Sequence, residues 1–487
     1  MTARTQTTPA GNPPSSPGGL HQGLGRRQMA LLGLGSALGT GLFLGAGGAI
    51  SLAGPGVLIS YAIGALIAVT VAFALGEMVS ALPVQGSFGT IAARYLGPAA
   101  GFVVRWMYWL ALIVGIGGEV VAAGIYLRFW WPQIPVWAVV TLFVVAVTAV
   151  NSAGVRNFGA TESVLSMIKA SAVVAFIVIG CVLILFGLPQ RPATGVGNWT
   201  AHGGFLPEGA TAIWLAMSVV VFSFAGIELV AISAPEAKEP GPALRTAVRS
   251  LVLRLTLFYL GAIAVMLAVT PWPALAGGHD SEHSPFVVMF DAAGVPAAAS
   301  VTNFVILATA LSAANANLYA AGRMLHSLGG DGYAARPLGR TTARGVPRRA
   351  IVVSALAVLL VTALVSARGS RLFSLLLALG TFGVIAVWII VLCTLLAFRK
   401  DAGRPASSLR LPGGSVIPVL GICALLSIYA TGVRLPDMRL ACYVGFPALL
   451  VLFAAHRVLV RARSRTRSRD GFEEAPAGGS EEVRTGG

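Results

Sequence analysis

Lys169 is one of only three lysines in a chain of 487 residues, the others being Lys238 and Lys400, and it lies in an apolar run that continues to Leu185. Arginine carries nearly all the remaining positive charge, so a lysine here is not compositional drift. A buried ammonium can lose its proton near neutral pH, whereas a guanidinium cannot. The residue type therefore suits reversible proton carriage. The competing reading is a lysine that snorkels to the nearer interface. For a helix entering the membrane near residue 160, the rise puts Lys169 about 13 Å deep, a strained reach.

Four carboxylates, Glu77, Glu119, Glu162 and Glu228, occur in similar apolar surroundings. A charge at the centre of a span costs at least about 2.5 kcal/mol on insertion scales, so each is a functional candidate by default. Glu228 follows the stretch SFAGI and suits a site or proton role. Glu119 has Gly117 and Gly118 beside it and suits pairing with a cation or carrying a proton. Glu77 and Glu162 read as interfacial carboxylates bonded to a neighbouring helix. Arg105, Arg254 and Arg323 sit near span ends and read as snorkelling side chains.

The backbone offers a second kind of chemistry. One apolar run reads GLGSALGTGLFLGAGG from Gly33 to Gly48, and another VVFSFAGIELVAISAPE from Val220 to Glu236. Glycine weakens a helix by about 1 kcal/mol relative to alanine. Breaks at Gly39–Gly41 and at Ala225–Gly226 would free N–H and C=O groups in mid-membrane, tolerable only around a polar cavity. Interrupted helices at matching places in two halves point to an inverted-repeat transporter with its site at the midplane. The alternative is a small-residue face for close helix packing.

Other chemistries are absent from the pattern. None of the six histidines, His21, His202, His279, His283, His326 and His456, falls in mid-span, and no pair has metal-ligand spacing. Cys181, Cys393, Cys423 and Cys442 lack metal or redox spacing and read as small core residues. There is no nucleophile constellation, and the glycine-rich run lacks the lysine of a phosphate loop. We therefore expect no cofactor, no metal and no enzyme.

Composition defines the elements that must position these residues. The chain is 56% hydrophobic and 11% charged, with a mean hydropathy of +0.82. A soluble protein carries about 25% charged residues, so a soluble enzyme or nucleic-acid binder is excluded. The net charge of +16 lies mostly in loops and tails, as membrane orientation requires, and implies no nucleic-acid partner. The class is an all-α polytopic membrane protein. Twelve spans are expected at 29–51, 56–81, 101–127, 135–153, 163–187, 210–234, 248–271, 297–325, 349–367, 373–398, 413–433 and 438–460. The loops rich in Lys and Arg fall on one side and place both termini in the cytoplasm. Residues 1–24 and 463–487 read as disordered cytoplasmic tails. Between them, residues 25–462 form one transporter domain: a first repeat at 25–188, a second at 210–398 and two extra helices at 413–460. The first run is too long for a signal peptide and serves as an uncleaved span.

In its motifs the chain resembles the bacterial amino acid permeases, the amino acid transporter family of the amino acid–polyamine–organocation superfamily. The likeness runs from Arg26-Arg27-Gln28-Met29-Ala30-Leu31 through GTGLFLG at Gly39–Gly45, SLAGP at Ser51–Pro55, ALGEM at Ala74–Met78 and Tyr108-Trp109. It continues with FWWP at Phe129–Pro132, Lys169, FSFAGIEL at Phe222–Leu229, PEA at Pro235–Ala237, Asn315, Arg323-Met324-Leu325, GVP at Gly345–Pro347 and DMRL at Asp437–Leu440. This resemblance implies the LeuT-type fold, a five-plus-five inverted repeat with broken helices 1 and 6 plus two extra helices. It implies an amino acid binding around Ala37, Gly39, Thr40, Gly41, Phe222, Ser223, Phe224, Ala225 and Gly226. Freed N–H groups and the Thr40 hydroxyl would take the carboxylate. Carbonyls of Ala37, Phe222 and Ala225 would take the ammonium, and Phe222 and Phe224 would gate or pack on the side chain. Lys169 matches the lysine that replaces a sodium ion of sodium-coupled relatives, implying sodium-independent transport. Glu228 and Glu119 match acidic positions of the family and complete the proton-coupling candidates. One departure is Val387-Trp388, where many members have Asn-Trp.

The implied activity is import of an amino acid across the plasma (inner) membrane by proton symport with alternating access. Its partners are the amino acid, protons and the lipid bilayer. The EVVAAGIY stretch at Glu119–Tyr126 favours a neutral substrate or an aromatic, histidine or proline one. The rivals are an amino acid or polyamine exchanger without proton coupling, and a sensor that binds without moving its ligand.

Overall fold

Backbone polar groups have no water partners in hydrocarbon, so a chain this apolar must satisfy them within helices. The computed structural model describes residues 23–37, 39–43, 45–187, 192–276, 286, 298–366 and 372–473. It is helical throughout, and among these residues the one β-type pairing is an isolated bridge between Leu24 and Ala237.

The first expected span is in pieces: α1 (Arg26–Ala37), α2 (Thr40–Phe43) and α3 (Gly45–Ala53). Then come α4 (Val57–Ala81), α5 (Ser87–Tyr95), α6 (Pro98–Leu127), α7 (Val136–Ala153) and α8 (Val155–Leu185). The sixth span is also divided, into α9 (Gly209–Ser223) and α10 (Leu229–Ser233). It is followed by α11 (Pro240–Val269), α12 (Trp272–Leu275), α13 (Ala298–Gly330), α14 (Arg348–Ser366), α15 (Leu372–Lys400), α16 (Val416–Gly432) and α17 (Pro436–Glu473). Among the described residues, nine helices are long and apolar enough to cross a membrane, with Gly41–Ala81 taken as one, and α9 and α16 are shorter apolar helices.

Burial separates the centre of the bundle from its rim. The apolar windows of α15 and α6 are 83% and 78% buried, against 28% for α7 and α8 and 22% for α17. The outer helices turn Leu66, Trp137, Leu185, Tyr443 and Leu450 outward, an apolar belt suited to lipid rather than water. α6 packs along both α13 and α15, and α1 packs against α8 and α11. The first broken helix is thus held between the centre and the rim. Gly154, with φ +128°, lets the chain turn between α7 and α8 in a single residue, a left-handed backbone that favours glycine.

Three expectations change. Gly23 and Leu24, assigned to the tail, are ordered. Their N–H groups donate to the Glu236 carbonyl at 3.0 Å each, and the Lys238 N–H donates to the Leu24 carbonyl at 3.0 Å. At the other end, α17 continues to Glu473, into the segment read as a disordered tail. Its arginines are good helix formers, and no glycine interrupts the run between Val460 and Gly471. Finally, Arg105 and Arg323 do not snorkel. Arg105 is fully buried and donates to Gly101 O, Ser327 Oγ and Asp331 Oδ2. Arg323 grips Glu236 with Nε–Oε1 at 2.6 Å and Nη2–Oε2 at 3.2 Å, and its guanidinium lies 3.4 Å from the Tyr319 ring centroid. A guanidinium is more weakly hydrated than an ammonium and forks onto a carboxylate, so an internal partner wins over the interface. The Arg254 side chain, the histidines His21, His279 and His283, and residues 1–22 and 474–487 lie outside the described residues.

Candidate functional site

The two breaks face each other. α1 ends at Ala37 and Gly39 sits in a bend before α2. Across from it, residues 224–228 interrupt the helical path between α9 and α10, and Gly226 takes φ +98°. An ideal Cβ placed on Gly41 would lie 2.9 Å from Ser223 Cα, so the two broken segments touch backbone to backbone there. A Cβ on Gly39 would lie 2.6 Å from Glu119 Oε1. Glycine at Gly41 is therefore a packing requirement, not only a break signal, whereas at Gly39 the near atom is the end of a side chain.

Between the breaks is a narrow cleft with a cavity volume of about 30 Å³, below the range of about 300–1,000 Å³ for small-molecule sites, so it must widen to admit an amino acid. Gly39 and Gly41 line it from the first break, and Phe222, Ser223, Ala225, Gly226 and Glu228 from the second. The rest of the wall comes from α6 (Tyr108, Ala111, Leu112, Gly115 and Glu119), from Asn317 of α13 and from Val384 of α15. One wall thus carries freed backbone and Glu228, and the other is largely apolar but carries Tyr108 and Glu119.

Of the residues singled out in the sequence, most converge here. Phe224 does not line the cleft. It is fully buried, with its ring 4.7 Å from Tyr259 and 6.1 Å from Tyr61 between centroids, so it supports the break from behind. Phe222 stays half-buried at the cleft, against Gly380 of α15. Its carbonyl already accepts the Ala225 N–H at 3.0 Å. Ala37 closes α1 and Thr40 opens α2, but both side chains lie outside the described residues.

Glu228 is tied on both sides. Its Oε2 accepts the Gly226 N–H at 2.9 Å, and its Oε1 accepts the Trp388 indole N–H. The carboxylate thereby caps the frayed turn and pins it to α15. The sequence had offered Val387-Trp388 only as a departure from a pair. The indole partner explains why a tryptophan stands in an otherwise aliphatic stretch. Gly226→Ala is expected to lower uptake about five- to thirtyfold at unchanged protein level, measured with labelled substrate. A side chain at positive φ costs roughly 1–2 kcal/mol, and about 1.4 kcal/mol is a factor of ten.

Sequence reasoning gave no site role to two further residues, Tyr108 and Asn317, and set a third, Glu162, at the interface. Tyr108 lines the cleft and its buried hydroxyl has no hydrogen-bond partner among the described residues. Leaving such a group unsatisfied costs about 1–3 kcal/mol, which a polar ligand would recover. Asn317 gave no signal beyond being polar within a span. Glu162 was read as interfacial, and it is indeed bonded to a neighbouring helix, but it is fully buried. Its Oε1 lies 4.0 Å from Lys169 Nζ and accepts Ser312 Oγ at 2.5 Å, and its Oε2 accepts Asn315 Nδ2 at 3.1 Å. Seven residues are close to two helical turns, so the pairing of Glu162 with Lys169 was readable from spacing.

Lys169 itself is fully buried. It does not line the cleft. α8 starts at Val155, earlier than expected, so Lys169 sits about 21 Å along its helix by rise, too far from that end to snorkel. Its ionisable neighbours among the described residues are Glu162 on its own helix and Glu119 across on α6. Glu119 belongs to the cleft wall. A carboxylate, a lysine and a second carboxylate therefore lead from the cleft into the packed region between α8 and α13.

Comparison with known proteins agrees with this geometry. Residues 28–467 match the family described as amino acid permease. The chain is 36% identical over 447 residues to the uncharacterized amino acid permease YtnA of Bacillus subtilis (strain 168), covering 90% of this chain and 94% of that protein. It is 36% identical over 438 residues to the aromatic amino acid transport protein AroP of Escherichia coli (strain K12), covering 89% and 94%. The manganese transporter of Eremococcus coleocola, at 14% identity, superposes with a TM-score of 0.60 over 90% of this chain and 94% of its own. That likeness concerns the fold alone: a LeuT-type helical bundle with its first and sixth spans broken. Family match, coverage and facing helix breaks lead to one conclusion: the chain belongs to the amino acid permease family and is a multi-pass membrane transport protein.

Proposed function

We propose that the protein imports a neutral or aromatic amino acid across the plasma membrane by proton symport, alternating access to the cleft between the two breaks. The observation that carries this reading is the cleft itself. Freed backbone and Glu228 stand on one side, and on the other the apolar Ala111, Leu112, Gly115 and Val384 stand beside Glu119. An α-amino acid has the matching division, a zwitterionic head and a side chain. N–H groups at a broken helix start suit the carboxylate, carbonyls and Glu119 suit the ammonium, and the small apolar wall suits an uncharged side chain. The name of the relative AroP favours an aromatic one. Lys169, Glu119 and Glu228 carry or gate the proton. Both termini lie in the cytoplasm, residues 25–188 and 210–398 act as the two repeats, and 413–460 supply two extra helices.

In this reading, the Arg323–Glu236 pair and the Leu24–Ala237 bridge close the cytoplasmic end of the bundle. Removing one partner of a buried ion pair costs about 3–5 kcal/mol. An inward-open state must exchange such contacts for others.

The test is uptake of labelled amino acids into proteoliposomes under an inward pH gradient without sodium. Concentrative uptake of aromatic or other neutral amino acids, abolished by a protonophore, is the expected result. Uptake only after internal preloading, indifferent to protonophore, would replace symport with exchange.

A further inference from the structure

We infer that Glu162 is a positioning residue for proton coupling: it is the counter-ion of Lys169, and through Ser312 and Asn315 it makes α13 the element that relays the charge of Lys169 to the substrate cleft. The inference rests on the symport reading above and goes beyond it, because Glu162 touches neither the cleft nor the substrate.

The geometry is directional. Ser312 and Asn315 are three residues apart and share one face of α13, and both donate to the Glu162 carboxylate. Ser166 adds a third donor, a second hydroxyl, at 3.4 Å from Oε1. Asn315 is itself held, because Asn151 Nδ2 of α7 donates to its Oδ1 at 2.9 Å. Every polar contact of this carboxylate therefore comes from a donor, and two of those donors belong to a single neighbouring helix.

The other sides of α13 reach the site. Ala313 Cβ lies 3.6 Å from the Cβ position of Gly39, so α13 packs on the first helix break. Asn317, two residues beyond Asn315 and so on a different side of the helix, lines the cleft. One rigid helix thus contacts the counter-ion, the break and the substrate space.

The ionisable groups facing Lys169 among the described residues are Glu162 of α8 and Glu119 of α6, with Tyr259 of α11 in electrostatic reach of Glu119. α13 and α7 present the uncharged Ser312, Asn315 and Asn151, and Tyr319 of α13 stacks on Phe158, one turn before Glu162 on α8. When Lys169 releases its proton towards bulk solvent, Glu162 loses its cationic partner and depends on the two α13 donors and Ser166. When the proton returns, the ammonium competes with the Ser312 hydroxyl of α13 for Oε1, while Asn315 keeps Oε2. Each change alters the force between α8 and α13. Exchange keeps the carrier loaded in both directions and does not need the empty carrier to reset, so it should survive the loss of this relay.

The experiment compares wild type, Glu162→Gln and Ser312→Ala in proteoliposomes, with a labelled amino acid that the wild-type protein accepts. For each we measure gradient-driven accumulation, exchange against internal substrate, and accumulation as a function of external pH. Glu162→Gln is expected to lose at least tenfold in accumulation while exchange stays within twofold. Ser312→Ala, which keeps every charge, is expected to accumulate with its pH midpoint displaced. Wild-type accumulation and an unchanged pH profile in Glu162→Gln would overturn the inference. Should Glu162→Gln fail to fold, an unchanged midpoint in Ser312→Ala would overturn it. Failure of the symport reading appears separately, as absent accumulation in the wild-type protein, and the inference then falls with it.

Discussion

Gly41→Val protein reaches the membrane and gives no uptake above that of empty liposomes: this is the largest effect expected of a single substitution. A Cβ at this position would stand 2.9 Å from Ser223 Cα, 3.0 Å from Ser223 Oγ and 3.3 Å from the Phe222 ring. The first contact is with backbone, so no rotamer change relieves it. Valine adds two further carbons at the point where the two breaks meet. Overpacking of this kind costs about 1–3 kcal/mol, which the bundle as a whole can tolerate but the cleft cannot. Gly45→Ala is the control. Its Cβ would meet Leu377 and Val219 at 3.6 Å each, ordinary contact distances, and it should transport as wild type does. Normal uptake by Gly41→Val would remove the first break from the substrate site.

Lys169→Ala is expected to abolish accumulation driven by a pH gradient while leaving substrate binding partly intact. The substitution removes the ammonium that faces Glu162 at 4.0 Å. It leaves Ser312 and Asn315 donating to that carboxylate, so Glu162 keeps two partners and the fold is spared the full cost of an orphaned buried charge. Binding is measured by substrate protection against thermal unfolding in detergent, and accumulation in proteoliposomes with and without protonophore. The variant should show a thermal shift with substrate and an internal-to-external ratio near one. Accumulation equal to wild type would take Lys169 out of the mechanism and leave Glu119 and Glu228 to carry the proton.

These two variants probe features of different legibility. The breaks were readable because glycine clusters in mid-span twice, at corresponding places, and because only a polar cavity tolerates freed backbone in hydrocarbon. Lys169 was readable because a lysine is rare in this arginine-rich chain. Its partner Glu162 was harder to place. The spacing puts the two on one face, but the loop charges suggested a helix start close to Glu162 and hence an interface. Only the start of α8 at Val155 moves Glu162 into the packed interior. Phe224 shows the opposite case: two residues from Phe222 and equal in type, it points away from the cleft towards Tyr61 and Tyr259. Two positions apart at the end of α9, the two rings take opposite sides of the helix; which side meets the cleft depends on how α9 packs, and residue type does not encode that choice.

From the sequence alone came the solvent, the class and the chemistry. Too little charge for a water-exposed surface required a bilayer, the bilayer required helices, and glycine and lysine in mid-span required a cavity and marked a candidate proton carrier. Tertiary structure decided the pairings: Glu228 with Trp388, Arg323 with Glu236, Glu162 with Ser312 and Asn315, and Tyr108 and Asn317 at the cleft. The reason is physical. Hydrophobicity and backbone satisfaction act along the chain and leave a local pattern. The partner of a buried polar group is chosen by how helices distant in sequence pack, and that choice leaves no periodicity to read.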